Sequence, residues 1–191
     1  LRRRQRQMCI RDRVYCGLDC QMLLYLFTLE RNGGHLFSQG TAAGVEYLWA
    51  DPAPENIIRP ETDDAEPLQA QNYPLEGLLL DEPSIYHAMD TRGTGAFVPL
   101  SFSAKTGEPT AQSAKARLAD REKFNRIRDH LDGMLTDMAK NLYSGEIDAA
   151  PLVPNAGKSP CLWCEYRTVC RHADGEGERT PLKPDDPFGT E

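Results

Sequence analysis

The sequence predicts an α/β fold, and three observations lead to this prediction. Apolar residues recur at helical spacing in two long segments, 18–31 and 114–143. Two shorter segments, 43–50 and 96–104, are rich in residues that favour strands. The chain has 191 residues, of which 40% are hydrophobic and 27% are charged. This length and composition are typical of one domain with a modest core.

The first half of the chain is predicted as helix, strand and loop. In residues 18–31 the apolar side chains share one helical face, and Asn32 and Gly33 follow as a stop signal. Residues 43–50 alternate between apolar and polar side chains, which predicts a strand. Residues 51–76 are rich in Pro, Asp and Glu, and we interpret them as an acidic loop or insertion.

The second half begins with a short apolar run at 77–81 and one or two helical turns at 84–90. A second strand is predicted at 96–104, and the longest helix at 114–143, where Gly145 follows as a stop. The first half of this helix is basic, and its cations are candidate contacts to a DNA backbone: Lys115, Arg117, Arg121 and Lys123. The alternative is a solvated helix face, which the acidic balance of the whole chain favours.

Charge and hydropathy exclude several classes of protein. The chain carries 22 Lys and Arg against 29 Asp and Glu, a net charge of -7, which argues against a dedicated basic nucleic-acid module. The longest apolar run, residues 22–29, is too short to span a bilayer, and no leader of the secretory type opens the chain. Of the six cysteines, three are tightly clustered. We therefore predict a cytoplasmic protein, away from membranes, whose cysteines bind metal.

The first 13 residues stand apart from the rest of the chain. They are basic and have no apolar period, and residues 8–12 can be written as the reading frame of a transposon-end adapter used in sequencing libraries. We therefore expect residues 1–13 to be an assembly artefact, so that the natural sequence enters at Val14 within a domain. The alternative is a basic tail that is solvated or contacts nucleic acid.

Three cysteines near the end of the chain are the strongest chemical signal. Cys161, Cys164 and Cys170 have the spacing C-x2-C-x5-C within the cluster 161–173, and a polar segment, 174–191, is predicted to be a disordered tail. Thiolates at this spacing can converge on one metal centre, but a structural zinc site and a cubane iron–sulfur cluster each need four ligands. His172 could complete a local Cys3His zinc site; otherwise the fourth ligand lies elsewhere.

A second signal lies on the first predicted helix. Gln21 and Tyr25 form a Q-x3-Y pair, and residues four apart lie on the same helical face. They would project an amide and a phenol together from an otherwise apolar helix. Amphipathic helices contain such pairs by chance, and Tyr25 alone could be a core residue.

The two motifs in this order resemble the C-terminal end of the RecB-like nucleases, a branch of the PD-(D/E)XK superfamily with an iron–sulfur staple. The resemblance extends through residues 15–26, 43–52, 77–90, 97–107 and 144–174. Because 136 positions separate Tyr25 from Cys161, the chain is most similar to the AddB type, which belongs to the ATP-dependent helicase/deoxyribonucleases. The resemblance implies a truncated restriction-endonuclease-like domain over residues 14–160.

The resemblance also implies roles for individual residues. Gln21 and Tyr25 would flank the active site, and Cys161, Cys164 and Cys170 would supply three of the four ligands of a [4Fe-4S] cluster. It further implies Mg²⁺ in the parent protein, ATP in the parent complex, and DNA and an AddA-like helicase–nuclease subunit as partners. The implied function is degradation of the strand with a 5′ end during double-strand break repair by homologous recombination.

The catalytic set of the family precedes Q-x3-Y, and this sequence does not contain it. That set is an Asp, a Glu or Asp and a Lys, which hold the metal and activate water. We therefore expect the 191-residue chain to be inactive as a nuclease on its own. Two alternatives remain: a RecB-family exonuclease that acts without a helicase partner, and a non-enzymatic Cys3His zinc module that mediates interactions.

Overall fold

The computed structural model describes residues 10–35, 40–48, 75–153, 159–172, 176–181 and 187–189. Its elements are three strands and six helices in a mixed α/β order within these ranges. Two single turns of 3-10 helix, Gly33–His35 and Pro160–Trp163, accompany them. In chain order the elements are α1 (Ile10–Tyr15), α2 (Gln21–Asn32), β1 (Gly44–Leu48), β2 (Leu75–Leu80), α3 (Pro83–Met89), α4 (Ala111–Arg117), β3 (Leu118–Ala119), α5 (Arg121–Ser144) and α6 (Arg167–Cys170).

The three strands form one mixed sheet in the order β1-β2-β3. β1 is antiparallel to β2, with Val45 opposite Leu78, whereas β3 is parallel to β2, with Leu79 opposite Leu118. The central strand β2 has the sequence LEGLLL and is buried on both faces along its last three residues. A continuous apolar run of this kind is expected for a strand that is covered on both sides.

Two apolar clusters lie on opposite faces of this sheet. On one face, the apolar stripes of α2 and α5 pack against Leu78 and Leu80, and Phe27 meets Phe124 edge to face with ring centroids 6.3 Å apart. On the other face, Leu79 packs among residues of α3, the loop after α3, and β3: Tyr86, Val98, Leu100 and Leu118. The sheet thus fixes α2, the helix that carries the Q-x3-Y pair, against α5.

The structure confirms the predicted α/β class and most of the predicted elements. The helix predicted over 18–31 is α2, the strand predicted over 43–50 is β1, and the helical turns predicted over 84–90 are α3. The insertion predicted at 51–76 lies outside the described residues except for Leu75 and Glu76, which begin β2. Residues 10–13 lie in α1 and residues 1–9 are outside the described part, so their artificial origin stays a prediction.

The helix predicted over 114–143 is wrong in one respect, because it is two helices. Leu118 and Ala119 leave the helical path to form β3, and both side chains are buried, one in each apolar cluster. Asp120 then caps α5 by accepting a hydrogen bond from the Lys123 amide at 2.7 Å. Side chains that alternate across a strand reach both faces of the sheet, which one helical face does not.

The strand predicted over 96–104 is a loop. Val98 and Leu100 are buried as they would be in a strand, but the chain folds back on itself here. A Cβ at Gly95 would lie 2.5 Å from the Leu100 carbonyl oxygen, so the two backbone segments approach too closely for any residue but glycine. Strand-like pairing is limited to an isolated bridge between Phe102 and Pro109.

The structure also differs from the disordered tail predicted over 174–191, of which it describes 176–181 and 187–189. Phe188 is buried in the larger apolar cluster, and Arg179 pairs with Leu152 in an isolated bridge. Arg126, which donates to the Phe188 carbonyl, lies 62 positions from Phe188, and Ala150, whose carbonyl accepts from Arg179, lies 29 positions from Arg179. A local reading of composition does not reveal such contacts. Among the described helices, none is long and apolar enough for a membrane span.

Candidate functional site

The Q-x3-Y pair forms a hydrogen-bonded unit on the exposed face of α2. Leu23 and Phe27 turn inward to the core, which leaves Gln21 and Tyr25 on the outer side of the helix. The Gln21 Nε2 amide donates to the Tyr25 hydroxyl at 2.8 Å, and Tyr25 is 55% exposed. Because the hydroxyl oxygen accepts this bond, its own proton is directed to another partner, and the Gln21 carbonyl oxygen is an additional acceptor. The unit can therefore orient a phosphate oxygen or a water.

A tight turn directly before α2 sets the position of this helix. Gly17 and Asp19 both have left-handed backbone angles, with φ values of 80° and 54°. The Tyr47 hydroxyl of β1 lies 3.5 Å from the Asp19 carbonyl oxygen, to which it donates, and so ties the turn to the sheet. Burial, followed by the charge of Asp19, raises the pKa of Tyr47 and that of the Cys20 thiol. Cys20 therefore remains a neutral thiol that packs at the start of α2.

The far end of α2 is held by ionic contacts that the sequence did not reveal. Glu30 accepts a hydrogen bond from the Ala42 amide at 2.8 Å, just before β1. The Arg121 guanidinium lies 3.7 Å from the Glu30 carboxylate and 3.8 Å from that of Glu82. Arg121 thus links α2, α5 and the segment that precedes α3. These contacts hold the half-exposed guanidinium of Arg121, a candidate DNA contact by its place in a basic run, against two carboxylates.

The other predicted DNA contacts have different surroundings. The Arg117 guanidinium donates to the Leu75 carbonyl at 2.7 Å and thereby anchors the end of α4 to β2. Lys123 is half-buried, and only Lys115 of the four is exposed. The four cations therefore do not form one exposed basic face, and DNA binding by them stays a prediction.

The cysteine segment consists of two successive turns. Cys161 lies in the 3-10 turn, and the Cys164 amide donates back to its carbonyl at 3.3 Å. Residues three apart on such a turn are eclipsed, so the Cys161 and Cys164 side chains leave the backbone on the same side. Cys170 ends α6, where its amide donates to the Tyr166 carbonyl at 2.8 Å. All three thiols are free, with Cys161 half-buried and the other two exposed.

These residues fit a thiolate-bound metal in donor type and in turn geometry. Soft thiolates suit both zinc and iron–sulfur clusters. Within the described ranges, however, no three His, Cys, Asp or Glu side chains are already placed to hold a metal ion. The Nε2 atom of His172 is buried and has no hydrogen-bond partner there, which makes it the local candidate for a further ligand. The segment thus offers three cysteine sulfur atoms on a short stretch of chain and one orphaned imidazole nitrogen.

Comparison with known proteins supplies a context for this geometry. A model of the PD-(D/E)XK nuclease superfamily matches residues 3–171. The chain is 31% identical over 162 residues to the B subunit of the ATP-dependent helicase/deoxyribonuclease of Symbiobacterium thermophilum, covering 82% of this chain and 13% of that relative. The B subunit of the same enzyme from Exiguobacterium sibiricum is 28% identical over 165 residues, covering 83% and 14%. That from Clostridium botulinum is 26% identical over 162 residues, also covering 83% and 14%. The chain therefore spans about one seventh of the length of these relatives.

Proposed function

This chain belongs to the PD-(D/E)XK nuclease superfamily, and from that premise we propose that it is part of the DNA exonuclease domain of an AddB-type protein. The observation that carries the proposal is the hydrogen-bonded, exposed Gln21–Tyr25 pair, which has the geometry a phosphate-positioning unit needs. The names of the relatives, which are B subunits of ATP-dependent helicase/deoxyribonucleases, support the same assignment. The parent protein degrades the strand with a 5′ end, in the cytoplasm, with an AddA-like partner and ATP, during double-strand break repair by recombination.

In this proposal the Gln21–Tyr25 unit orients the DNA backbone and does no chemistry itself. Hydrolysis of a phosphodiester needs a metal-activated water, and Mg²⁺ supplies that chemistry when bound. The Asp, Glu or Asp, and Lys set that holds the metal precedes Q-x3-Y in the family. The Tyr25 hydroxyl donates its proton to a phosphate oxygen and the Gln21 carbonyl oxygen accepts from the water, while the left-handed turn at Asp19 fixes the direction of both groups. The 191-residue chain alone is therefore expected to be inactive.

The cysteine segment holds a [4Fe-4S] cluster through Cys161, Cys164 and Cys170 in the same proposal. The fourth thiolate comes from another part of the longer protein. Three free thiols on two consecutive turns support this role. The cluster would act as a cross-link that joins the end of the domain to its beginning, closing a long loop.

A nuclease assay with paired variants tests the first part. The coding sequence upstream of Val14 would be recovered, and the full-length protein purified with its partner and assayed with Mg²⁺ on DNA labelled at the 5′ end. Gln21→Ala and Tyr25→Phe should each lower kcat/KM by about 10-fold to 100-fold, because each removes one half of a group that positions the phosphate. Thr28→Ala, which is also exposed on α2, is the matched control and should not change the rate.

The outcomes separate the alternatives. Full activity in both Gln21→Ala and Tyr25→Phe would refute the role of the pair. Activity without ATP and without a copurifying helicase would indicate a stand-alone RecB-family exonuclease. Protein purified without oxygen should carry about four irons per chain if the cysteines hold a cubane cluster. One zinc per chain, lost in His172→Ala, would replace the cluster by a Cys3His zinc module, which the orphaned Nε2 of His172 favours.

A further inference from the structure

The chain that follows the cysteines returns to the body of the protein at two anchor points. The first is Arg179, which closes the base of the loop that contains the cysteine segment. Its amide donates to the Pro151 carbonyl at 2.9 Å, and its carbonyl accepts from the Val153 amide at 2.8 Å. Its Nε donates to the Ala150 carbonyl at 2.8 Å. Three hydrogen bonds between protein groups thus join the two ends of the cysteine loop.

The second anchor is Phe188, which is only 4% exposed. Its ring meets the Tyr15 and His130 rings edge to face, with centroids 5.6 and 5.5 Å apart and both interplanar angles at 75°. The Tyr15 and His130 rings are themselves stacked at 5.1 Å. The Arg126 Nε donates to the Phe188 carbonyl at 2.6 Å, so the backbone is held as well as the ring. Edge-to-face contacts of this kind add to the gain from burial.

The second anchor lies beside the turn that leads into the helix of the candidate functional site. Tyr15 ends α1, and the left-handed turn that starts α2 follows directly, with Gln21 six residues on. His130 lies on α5, and its Nε2 is 3.1 Å from the Tyr15 carbonyl oxygen. Phe188 therefore covers the joint between α5 and the turn that leads into the Q-x3-Y helix.

We propose that the described residues 176–181 and 187–189 form a strap that ties the cysteine loop to the start of α2 without a metal. The Arg179 anchor fixes the loop and the Phe188 anchor fixes the turn. The strap would hold this end of the domain together before a cluster is inserted, or after one is lost. Only the statement about the cluster rests on the proposed function; the strap itself is a property of this chain.

Hydrogen exchange on the full-length protein, reduced and freed of metal with EDTA, tests the strap. Phe188→Ala should speed exchange of the amides at residues 15–20 by about tenfold or more, because removal of the ring frees the turn locally. Phe188→Leu, which keeps an apolar side chain, should give a smaller increase. Phe97→Ala is the matched control, since Phe97 is 62% exposed, and it should leave these amides unchanged. The β2 amides should stay slow in all three variants.

A second variant covers the case in which Phe188→Ala unfolds as a whole. Arg126→Lys removes the Nε donor to the Phe188 carbonyl while keeping the charge, and Arg128→Lys, whose guanidinium contacts its neighbour Asp129, is its control. Arg126→Lys should speed exchange at residues 15–20 and shift the proton resonances of the His130 ring, which lies in the ring currents of Tyr15 and Phe188. Arg128→Lys should do neither.

Unchanged exchange at residues 15–20 in both Phe188→Ala and Arg126→Lys would overturn the strap. So would protection of this turn that appears only in iron-loaded full-length protein, because the tie would then depend on the metal. Neither result involves nuclease activity, so failure of the strap leaves the proposed function standing. An inactive full-length enzyme would leave the strap standing in turn.

Discussion

Asp90 is the residue whose replacement should reveal most about how the loop after α3 is held. Its side chain is 1% exposed, and its carboxylate is the centre of a small hydrogen-bonded turn. Oδ2 accepts from the Gly95 amide at 2.7 Å and from the Thr94 hydroxyl at 3.2 Å, and Oδ1 accepts from the Arg92 amide at 3.2 Å. The loop then continues into buried Val98 on the second face of the sheet. We therefore expect the Asp90→Ala and Asp90→Asn variants to loosen this loop.

The magnitude follows from the three bonds and from burial. A hydrogen bond to a charged group contributes about 1.5–3 kcal/mol, but the cost of burying the carboxylate offsets part of that gain. Asp90→Ala leaves two amides and a hydroxyl without their acceptor, and we expect it to lower the free energy of unfolding by about 3 kcal/mol. Asp90→Asn keeps one acceptor oxygen and should cost about 2 kcal/mol. The surface variant Asp137→Ala, which loses only an exposed contact to Lys140, should stay within about 0.5 kcal/mol of the original chain.

The stabilisation by Asp90 should also depend on pH, and the direction of that dependence can be predicted. Burial by itself would raise the pKa of Asp90, but the hydrogen bonds from Gly95, Thr94 and Arg92 outweigh it and lower the pKa. A depressed pKa contributes stability above the unfolded pKa of about 3.9, and that stability is lost as the pH falls through the folded value. Urea unfolding followed by circular dichroism should therefore give a constant gap in the free energy of unfolding between the original chain and Asp90→Asn from about pH 7 to 5. The gap should close below about pH 4. A gap that widens on acidification, or no gap at pH 7, would refute the reasoning.

Three further predictions concern α5 and the cysteines. In α5, Gly133→Ala should raise the free energy of unfolding by about 0.5–1 kcal/mol, because a Cβ meets open space in the helix interior. Gly145→Ala should lower the free energy of unfolding by about 1 kcal/mol, because Gly145 has a left-handed φ of 80°, although the space around it is equally open. Urea titrations in which both variants change stability with the same sign would contradict this contrast. Asp120→Ala should cost about 1 kcal/mol by loss of the α5 cap, measured in the same titrations. In full-length protein purified without oxygen, Cys161→Ser should remove nearly all iron whereas Cys16→Ser should not, as iron analysis would show; equal loss in both would argue against the assigned ligands.

The local patterns in the sequence were enough to predict the elements that carry the candidate site. The spacing of Gln21 and Tyr25 indicated one helical face, and the structure places them in contact because nothing but helical geometry is needed. The stop at Gly145 was equally local, since a left-handed residue after a helix favours glycine. The C-x2-C spacing likewise indicated thiols on one side of a turn.

Elements that depend on the sheet could not be predicted in this way. Leu118 and Ala119 lie within the segment predicted as one helix, yet they form β3, because they pair with β2 and bury their side chains in the two apolar clusters beside it. Val98 and Leu100 alternate as in a strand, but their burial comes from a folded-back loop held at Gly95. In both cases the deciding partner is distant in the chain, and a period read over a short window does not contain it.

The basic run of residues 115–126 shows the same limit for function. Its composition left open a DNA-backbone contact or a solvated helix face, of which the acidic balance of the chain favours the second. In the fold, three of its guanidinium groups contact acceptors within the protein. Arg117 bonds the first carbonyl of β2, Arg121 lies between Glu30 and Glu82, and Arg126 bonds the Phe188 carbonyl. An arginine that is held in this way has fewer donors left for a phosphate, and the protein contact fixes where its guanidinium lies. A search for the DNA path on this chain should therefore begin at the exposed Gln21–Tyr25 unit on α2 and treat α5 as the scaffold that positions it.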